Sequence, residues 1–281
     1  MSDTENESVR AHYQAAIRDR GQLLAKISDM IDAMGEGPLT AAKLAGFDQF
    51  HFGGLAATAE FARRVGIVEG SRVLDAGSGL GGPSRYLAET FDCDVTGVDL
   101  APDYVAVAEL LAKRSGLEDK VRYRVGDLGR LPFESASFDL VWTQHVVMNI
   151  RDRGGLYREF FRMLEPGGKF AFYDVLAGDG AKPPHYPVPW AETSATSTLL
   201  TEPDTRAALD TAGFEVKLWD DVTQEAFGWM SRQRREAPLA VNPGTIVGQR
   251  MVEMVGNFGR NLEEGRARLV IGVCEARRRR P

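Results

Sequence analysis

Cysteine and histidine are scarce in this sequence, and long apolar runs are missing. Two cysteines, Cys93 and Cys274, and four histidines occur among 281 residues. Both cysteines lie in apolar, strand-like runs, which favours buried thiols over a disulfide, and two cysteines cannot build a multi-cysteine zinc site. No apolar run reaches the ~18 residues of a membrane-spanning helix, and the polar, acidic N-terminus is unlike a signal peptide. We therefore expect a soluble, cytoplasmic protein with no metal and no membrane partner.

The sequence also lacks an excess of basic residues. Lys and Arg number 34 against 40 Asp and Glu, and the formal net charge is −6. A protein that binds duplex nucleic acid needs a basic face to neutralise phosphates, so the composition argues against a nucleic-acid partner. The arginine run at 277–280 is a local exception that is more typical of a solvated terminus. The sequence leaves the oligomeric state open, a homo-oligomer included.

Short β-rich runs alternate with helical runs over most of the chain, which predicts an α/β fold with a doubly wound, mostly parallel sheet. A helical N-terminal cap is expected over 1–66 and a catalytic domain over 67–281. The catalytic domain contains a proline-rich loop at 177–201 and a helical insertion, or C-terminal lid, at 223–265. The cap should hold helices at 8–34 and 55–65 around a glycine- and aromatic-rich loop at 46–54. The strands are predicted at 72–75, 95–99, 121–125, 138–143, 169–175, 214–222 and 268–274, with crossover helices at 84–90, 103–115, 155–164 and 203–212.

A glycine-rich loop, Asp75-Ala76-Gly77-Ser78-Gly79-Leu80-Gly81-Gly82, follows the first strand and opens a helix. Glycine lets the backbone approach a ligand closely, and a helix N-terminus favours anions. Asp99 ends the next strand about 20 residues further on, where a carboxylate accepts hydrogen bonds from a ribose diol. This pattern indicates a nucleoside cofactor without separating NAD from an adenosyl sulfonium. A tight turn with a capping acid is the structural alternative.

Further motifs follow in order. Gly126-Asp127-Leu128 ends the third strand, where it suits an adenine edge, and Glu165-Pro166-Gly167-Gly168 turns into the fifth strand. With Val73–Gly79 and Val98-Asp99-Leu100, these motifs resemble those of class I S-adenosylmethionine-dependent methyltransferases over roughly residues 47–175. Gln49-Phe50-His51-Phe52-Gly53-Gly54 is similar to the small-molecule branch, which includes sarcosine/dimethylglycine N-methyltransferases and related quinone and natural-product enzymes.

The resemblance implies S-adenosylmethionine as cofactor, a small-molecule methyl acceptor, and a seven-stranded Rossmann-like sheet whose last strand is antiparallel. In-line displacement at the sulfonium methyl would then depend mainly on alignment and on exclusion of water. The implied cofactor-binding residues are Gln49, Phe52, Asp75, Gly77, Ser78, Gly79, Asp99, Leu100, Asp127, Leu128 and Gln144. Asp75 could equally be a strand-end acid that bonds nearby backbone.

His145, just past the fourth strand, is the candidate general base, because histidine titrates near neutrality; it could equally be a hydrogen-bonded strand-end histidine. His51 could orient the substrate or pack beside its neighbours. Tyr186 and Trp190 could line the substrate pocket or fasten the proline-rich loop to the core. Asp174, at the end of the fifth strand, could pair with a histidine or a substrate amine, with a plain strand-end acid as the slightly favoured alternative. Two other functions stay open: an NAD-dependent oxidoreductase, and a cofactor-binding scaffold that transfers no methyl group.

Overall fold

The structure, a computed structural model, describes residues 7, 11, 20–35, 37–180, 182–236 and 250–277. Part of the predicted first helix and the arginines at 278–280 lie outside these ranges. In the described part no helix is long and apolar enough to cross a membrane. The helices are α1 (Arg20–Ala33), α2 (Ala41–Asp48), α3 (Gly54–Val65), α4 (Gly82–Phe91), α5 (Pro102–Arg114), α6 (Arg153–Met163), α7 (Glu202–Ala212), α8 (Thr223–Glu236) and α9 (Arg250–Glu263).

Seven strands form one sheet in the order β3-β2-β1-β4-β5-β7-β6. β1 to β5 pair in parallel, and β7 runs antiparallel to both β5 and β6. The predicted doubly wound, mostly parallel, Rossmann-like sheet with an antiparallel last strand is confirmed. The strands are β1 (Arg72–Ala76), β2 (Asp94–Asp99), β3 (Val121–Val125), β4 (Phe138–Gln144), β5 (Leu164–Ala177), β6 (Phe214–Asp221) and β7 (Ala267–Ala276).

The strand order reverses at β1, which pairs with β2 on one side and with β4 on the other. The segments that follow β1 and β4 therefore leave the sheet side by side, at the position where open α/β sheets bind ligands. This topology brings the glycine-rich loop after β1 next to His145 after β4. One contact makes the closeness explicit, since a Cβ placed on Gly77 would lie 2.4 Å from Val146 Cγ2.

Alternating side chains of the central strands divide the core into two layers. Trp142 and Tyr173 pack with Phe61 of α3 on one face of the sheet, whereas Val141 and Phe172 pack on the other. A third cluster joins α1 and α2 to α5. Cys93 and Cys274 are both buried and free, as expected from their apolar surroundings.

Two local predictions were wrong. Residues 46–48 belong to α2 rather than to a loop, because Thr40 caps this helix through the backbone N–H of Lys43 and because Leu44 and Phe47 share its buried face. The turn at Glu165-Pro166-Gly167-Gly168 lies within β5 rather than before it. Leu164 already pairs with Phe138, and the pairing shifts register before Leu140, so that the Pro-Gly-Gly residues form an irregularity inside the strand.

Candidate active site

The glycine-rich loop is held tightly against β2. The backbone N–H groups of Gly77 and Ser78 both donate to the carbonyl of Val98, at 2.8 and 3.0 Å. Gly77 and Gly79 have φ of 86° and 53°, in the left-handed region that glycine enters without steric cost. The Ser78 hydroxyl is buried above Gly97 of β2, and no described residue bonds to it. The loop therefore presents backbone rather than side chains at the carboxyl end of β1.

Asp99 links this loop to the end of β2. One carboxylate oxygen accepts from Gly79 N at 2.9 Å and the other accepts from Ala101 N at 2.9 Å. Burial raises the pKa of Asp99, while the backbone N–H groups act to lower it. A carboxylate has about four lone-pair sites, so two remain for a diol. The following residue, Leu100, is half-buried beside it.

The predicted adenine-edge residues lie on the neighbouring strand end. Gly126 N donates to the Asp99 carbonyl at 2.9 Å, which places β3 and β2 ends together. Asp127 is half-buried, and its Oδ1 accepts from Gly129 N at 2.9 Å. Leu128 is buried. Asp99 and Asp127 therefore follow adjacent parallel strands.

Asp75 has a different environment from the other predicted cofactor residues. It is buried at the end of β1, and its Oδ2 accepts a 2.5 Å hydrogen bond from the hydroxyl of Ser84 in α4. This contact fits the strand-end alternative for Asp75. Burial is the main cause that raises its pKa to about 7, and the charge of Asp99 adds to the shift.

Asp75→Asn should change how stability depends on pH. The folded state holds a proton on Asp75 that the unfolded state releases near pH 3.8, so the free energy of unfolding falls as pH rises from about 4 to 7. Asn keeps the acceptor for Ser84 and cannot ionise. In urea unfolding, the free energy of unfolding of the variant relative to the wild type should therefore increase between pH 5 and pH 8, by on the order of a few kcal/mol. If the difference in free energy of unfolding between variant and wild type were the same at pH 5 and pH 8, the raised pKa of Asp75 would be contradicted.

A chain of polar side chains lies beneath the cap loop. The hydroxyl of Thr58 in α3 lies 2.9 Å from Gln49 Oε1, 2.9 Å from His51 Nε2 and 3.4 Å from the Gln144 amide. Gln49, His51 and Gln144 are all buried. Gln49 Nε2 has no partner among the described residues and lies against Gly82, at the start of α4. Three predicted site residues are thus joined through Thr58, which the sequence pattern did not single out.

His145 combines two unusual features. Its φ of 54° is left-handed, which is uncommon for a residue with a Cβ. Its Nε2 is buried without a partner in the described part of the chain, although its backbone N–H donates to the Tyr173 carbonyl at 2.8 Å. Burial, with a smaller effect from His51, holds its pKa well below 6.5. Strained backbone and an unpaired buried nitrogen both cost free energy, and such costs concentrate at functional sites.

Two aromatic rings of the cap, Phe50 and Phe52, have different surroundings. Phe52 is buried against Phe227 and Phe258, with ring centroids 5.9 and 5.2 Å away. Phe50 is only half-buried, and its ring lies 3.8 Å from the position of a Cβ on Gly79. The cap residue beside Gly79 is therefore Phe50, and the role of Phe52 in cofactor binding stays a prediction.

The proline-rich loop is fastened to the C-terminal part of the chain. Trp190 is 1% exposed, stacks edge-on against Phe258 at 5.0 Å, and donates from Nε1 to Ser197 Oγ at 3.0 Å. Asn261 of α9 bonds both the N–H and the carbonyl of His185. Tyr186 is half-buried against the core cluster that contains Trp190 and Phe258. These contacts favour the packing alternative for Trp190, and its role in substrate binding stays a prediction.

Asp174 occupies the buried interior of β5, opposite the segment after β4. Its two carboxylate oxygens accept from Val147 N at 3.0 Å and from Val175 N at 2.9 Å. No histidine among the described residues pairs with it, but β5 continues to Ala177, so Asp174 lies inside the strand and not at its end as predicted. Its contacts position the turn after His145, since Val147 lies two residues beyond that side chain.

A buried ion pair that the sequence did not reveal joins the cap to the glycine loop. Arg85 of α4 and Asp48 of α2 are fully buried, with Nη2 and Oδ2 2.7 Å apart. Arg85 Nη1 donates to the carbonyl of Leu80 at 2.9 Å. Burial raises the pKa of Asp48 although Arg85 opposes the shift. The residues are 37 positions apart, and no sequence periodicity connects them.

Comparison with known proteins agrees with this geometry. Residues 74–172 match the family described as methyltransferase domain. Phosphoethanolamine N-methyltransferase 3 of Arabidopsis thaliana is 29% identical over 79% of this chain, which covers 44% of that protein. The chain spans less than half the length of this relative and of the next two plant phosphoethanolamine N-methyltransferases.

Solved structures share the fold. Haemonchus contortus phosphoethanolamine N-methyltransferase 2, in complex with phosphomonomethylethanolamine and S-adenosylhomocysteine, has a TM-score of 0.69 at 22% identity over 84% of this chain and 56% of that one. The [4+2]-cyclase SpnF has a TM-score of 0.62 at 21% identity over 79% of this chain and 80% of that one. The ordered motifs, the sheet topology and the match over residues 74–172 together show that this chain contains a methyltransferase domain with the Rossmann-like fold of these solved structures.

Proposed function

We propose that this protein transfers a methyl group from S-adenosylmethionine to a small-molecule acceptor. The observation that carries the proposal is the closeness of the glycine loop to the segment after β4. Val146 packs on Gly77, so that the neighbouring His145 lies beside the loop that would hold the cofactor. When bound, the cofactor supplies a methyl group on an already activated sulfonium leaving group.

The residues present fit that cofactor. Gly77 and Gly79 carry no side chain, and Val146 fills the space beside Gly77. The nearest atom to a Cβ on Gly79 is Phe50 Cδ2, 3.8 Å away, so the backbone at Gly79 can be approached closely. Asp99 keeps lone pairs for a ribose diol after its two backbone bonds, and Asp127 follows the adjacent strand. Buried polar atoms without partners in the described chain, Gln49 Nε2 and His145 Nε2, belong to residues that the sequence already assigned to this site. The role of each residue is part of the proposal.

The chain's own contribution is mainly positioning. Phe50 lies over Gly79, and the aromatic layer of Phe52, Tyr173 and Phe258 lines the region around His145. Apolar walls exclude water and align nucleophile and methyl group. His145 is neutral at pH 7, because burial lowers its pKa, and a neutral imidazole has one lone pair to accept a proton from the acceptor.

The proposed acceptor is a small molecule rather than a nucleic acid. Net charge −6 gives the chain no broad electrostatic surface for phosphates. We also propose a cytoplasmic location, which keeps the two buried thiols reduced.

Incubation with methyl-labelled S-adenosylmethionine and an acceptor panel tests the function. The panel holds phosphoethanolamine, sarcosine, dimethylglycine, a catechol and a short-chain quinol. Mass spectrometry should find one acceptor that gains a methyl group, together with S-adenosylhomocysteine. A robust, steeply salt-dependent methylation of tRNA or DNA would overturn the small-molecule assignment.

One neighbour favours a second candidate. The fold is shared with a [4+2]-cyclase. A second candidate function is therefore a reaction in which the protein binds the cofactor without consuming it. Product formation at unchanged mass, with the cofactor intact, would identify that class in the same assay.

Asp99→Ala should weaken cofactor binding about tenfold or more. The substitution removes charged hydrogen bonds worth about 1.5–3 kcal/mol each and also frees the Gly79 N–H. Titration calorimetry with S-adenosylhomocysteine measures the change. Asp94→Ala, at the exposed opposite end of β2, is the control that should bind normally. Equal affinity in the Asp99 variant, or tight binding of NAD by the wild type, would contradict the assignment.

His145→Ala should lower kcat by about 10²-fold if the ring takes the acceptor's proton. The affinity for S-adenosylhomocysteine should stay within a few-fold, because no step of cofactor binding is assigned to the ring. Single-turnover methyl transfer on the best panel acceptor gives the rate. Near-normal turnover would leave positioning alone as the source of catalysis.

A further inference from the structure

The directions of the hydrogen bonds around His51 follow from neighbouring groups that can only donate or only accept. The Trp142 indole N–H can only donate, and it lies 3.0 Å from Gln144 Oε1. The oxygen of that amide therefore faces Trp142, while Oε1 and Nε2 of Gln144 both lie 3.4 Å from Thr58 Oγ1. Gln144 is thus a more distant neighbour of the Thr58 hydroxyl than Gln49 is.

Thr58 has one hydroxyl proton to give. Gln49 Oε1 lies 2.9 Å away and is the acceptor for that proton. The third neighbour of Thr58 Oγ1 is His51 Nε2, also at 2.9 Å. Because Thr58 donates its single proton to Gln49, its hydroxyl oxygen can only accept from His51. This hydrogen bond therefore requires a hydrogen on His51 Nε2.

A second contact of the same nitrogen requires the same assignment. His51 Nε2 lies 3.0 Å from the carbonyl oxygen of Gly54, which can only accept. Gly53 and Gly54, both with left-handed φ, curl the chain at the start of α3 so that this carbonyl meets the ring. Two independent neighbours thus hold the hydrogen on Nε2, and in a neutral ring the lone pair is then on Nδ1.

The ring is neutral and faces the candidate site. Burial lowers the pKa of His51 to about 4. The titratable rings packed against it are His145 from the end of β4, at 6.1 Å, and Tyr173 from β5, at 6.2 Å. Neither of them is a carboxylate that would charge the histidine. The hydrogen bonds that described residues make to the His51 ring are both at Nε2, so Nδ1 keeps its lone pair on a ring whose centroid lies 6.1 Å from that of His145.

We infer that His51 Nδ1 accepts a hydrogen bond from the proton-bearing nucleophile of the methyl acceptor, and that Thr58 is the positioning residue that fixes this tautomer. The inference rests on the proposed methyl transfer, and it narrows the substrate class to acceptors that carry an N–H or O–H at the reacting atom. His145 would contact the same nucleophile. Two neutral imidazoles, His51 from the cap and His145 from the end of β4, would then orient it.

A nitrogen-15 NMR spectrum of histidine-labelled protein tests the tautomer directly. Long-range nitrogen–proton correlations distinguish Nε2–H from Nδ1–H, and a His51→Gln sample assigns the signals. We expect His51 as the neutral Nε2–H form from pH 6 to 8, with and without S-adenosylhomocysteine. An Nδ1–H or a protonated ring at pH 7 would overturn the inference, whatever the protein methylates.

Paired substitutions test the role of Nδ1. Asn places its amide near the position of Nδ1 and can supply an acceptor there, whereas Gln reaches the position of Nε2 and can still donate to Gly54. We expect His51→Gln to lower kcat/KM for the fastest panel acceptor tenfold or more and His51→Asn to retain most of it. S-adenosylhomocysteine should bind both variants within a few-fold. Equal losses, or normal activity of the Gln variant, would overturn the assignment.

Thr58 is tested in the same way. Thr58→Ser keeps the hydroxyl and should keep most of the kcat/KM. The isosteric Thr58→Val leaves only the Gly54 carbonyl on His51 Nε2, and it should lower kcat/KM measurably but less than His51→Gln does. Similar activity of the Ser and Val variants would reject the positioning role. If the wild type methylates no panel member, the proposed function fails, but the NMR result still decides the tautomer.

Discussion

Arg85→Met should lower the free energy of unfolding by about 3–5 kcal/mol, the usual cost of leaving a buried charge without its partner. Asp48 and Arg85 are both fully buried and 2.7 Å apart. Methionine fills a similar volume but removes the positive charge, so Asp48 must either stay ionised alone or take up a proton. Urea unfolding at pH 7 measures the loss.

The pH dependence identifies the cause. Arg85 acts to lower the pKa of Asp48 against the effect of burial, so its removal raises that pKa further. The folded variant then binds a proton that the unfolded chain releases, and its stability declines as pH rises. The loss should be smaller at pH 5 than at pH 8. The double variant Asp48→Leu/Arg85→Met should recover most of the stability, since apolar replacement of a buried pair is often neutral. A loss independent of pH would contradict this explanation.

Gly178→Ala should destabilise the fold by about 3 kcal/mol, at the upper end of the range for overpacking. A Cβ at this position would lie 1.8 Å from the carbonyl oxygen of Gly265. The clash is with backbone, which has no rotamer that could relieve it. Gly178 N also donates to the Arg266 carbonyl at 3.0 Å, so movement apart would break the junction of β5 with β7.

Gly180→Ala is the matched control, two residues away. Nothing lies within 4 Å of a Cβ there, and its φ is ordinary. Surface changes of this kind are usually within about 0.5 kcal/mol. The melting temperature of the Gly178 variant should therefore be clearly lower than that of the Gly180 variant. Similar melting temperatures would contradict the predicted clash with the Gly265 carbonyl.

The sequence predicted the central sheet well because its signals are local. The strand predicted at 121–125 is observed as β3, and the others differ by a few residues at their ends. The strands β1, β2 and β3 end at or just before a glycine or an acid, and the buried central strands β1 and β4 are mostly apolar, as parallel strands with both faces covered need to be. The helix α2 was missed since Gly46 and the aromatics around it indicated a loop, although Thr40 was a usable N-cap signal.

The placement of the predicted site residues can be derived from topology only where they stand at strand ends. Asp99, Asp127 and His145 stand at strand ends, so topology alone brings them to one edge. Contacts made by the cap depend on how α2 and α3 pack, which no periodicity reveals. Thr58 and Arg85 looked like ordinary helix residues, and the sequence did not indicate that the Phe50 ring lies beside Gly79. Burial of Trp190 likewise follows from tertiary packing.

The position of β7 affects how the chain folds during synthesis. This strand is made after the other six, yet it lies between β5 and β6. Until residues 267–276 leave the ribosome, one edge of β5 has no partner and β6 cannot join the sheet at all. Unpaired edges of apolar strands are where nascent chains associate wrongly. The half of the sheet that carries the glycine loop can be complete at that stage, so the cofactor-binding half is expected to form first and the C-terminal hairpin to close the domain last.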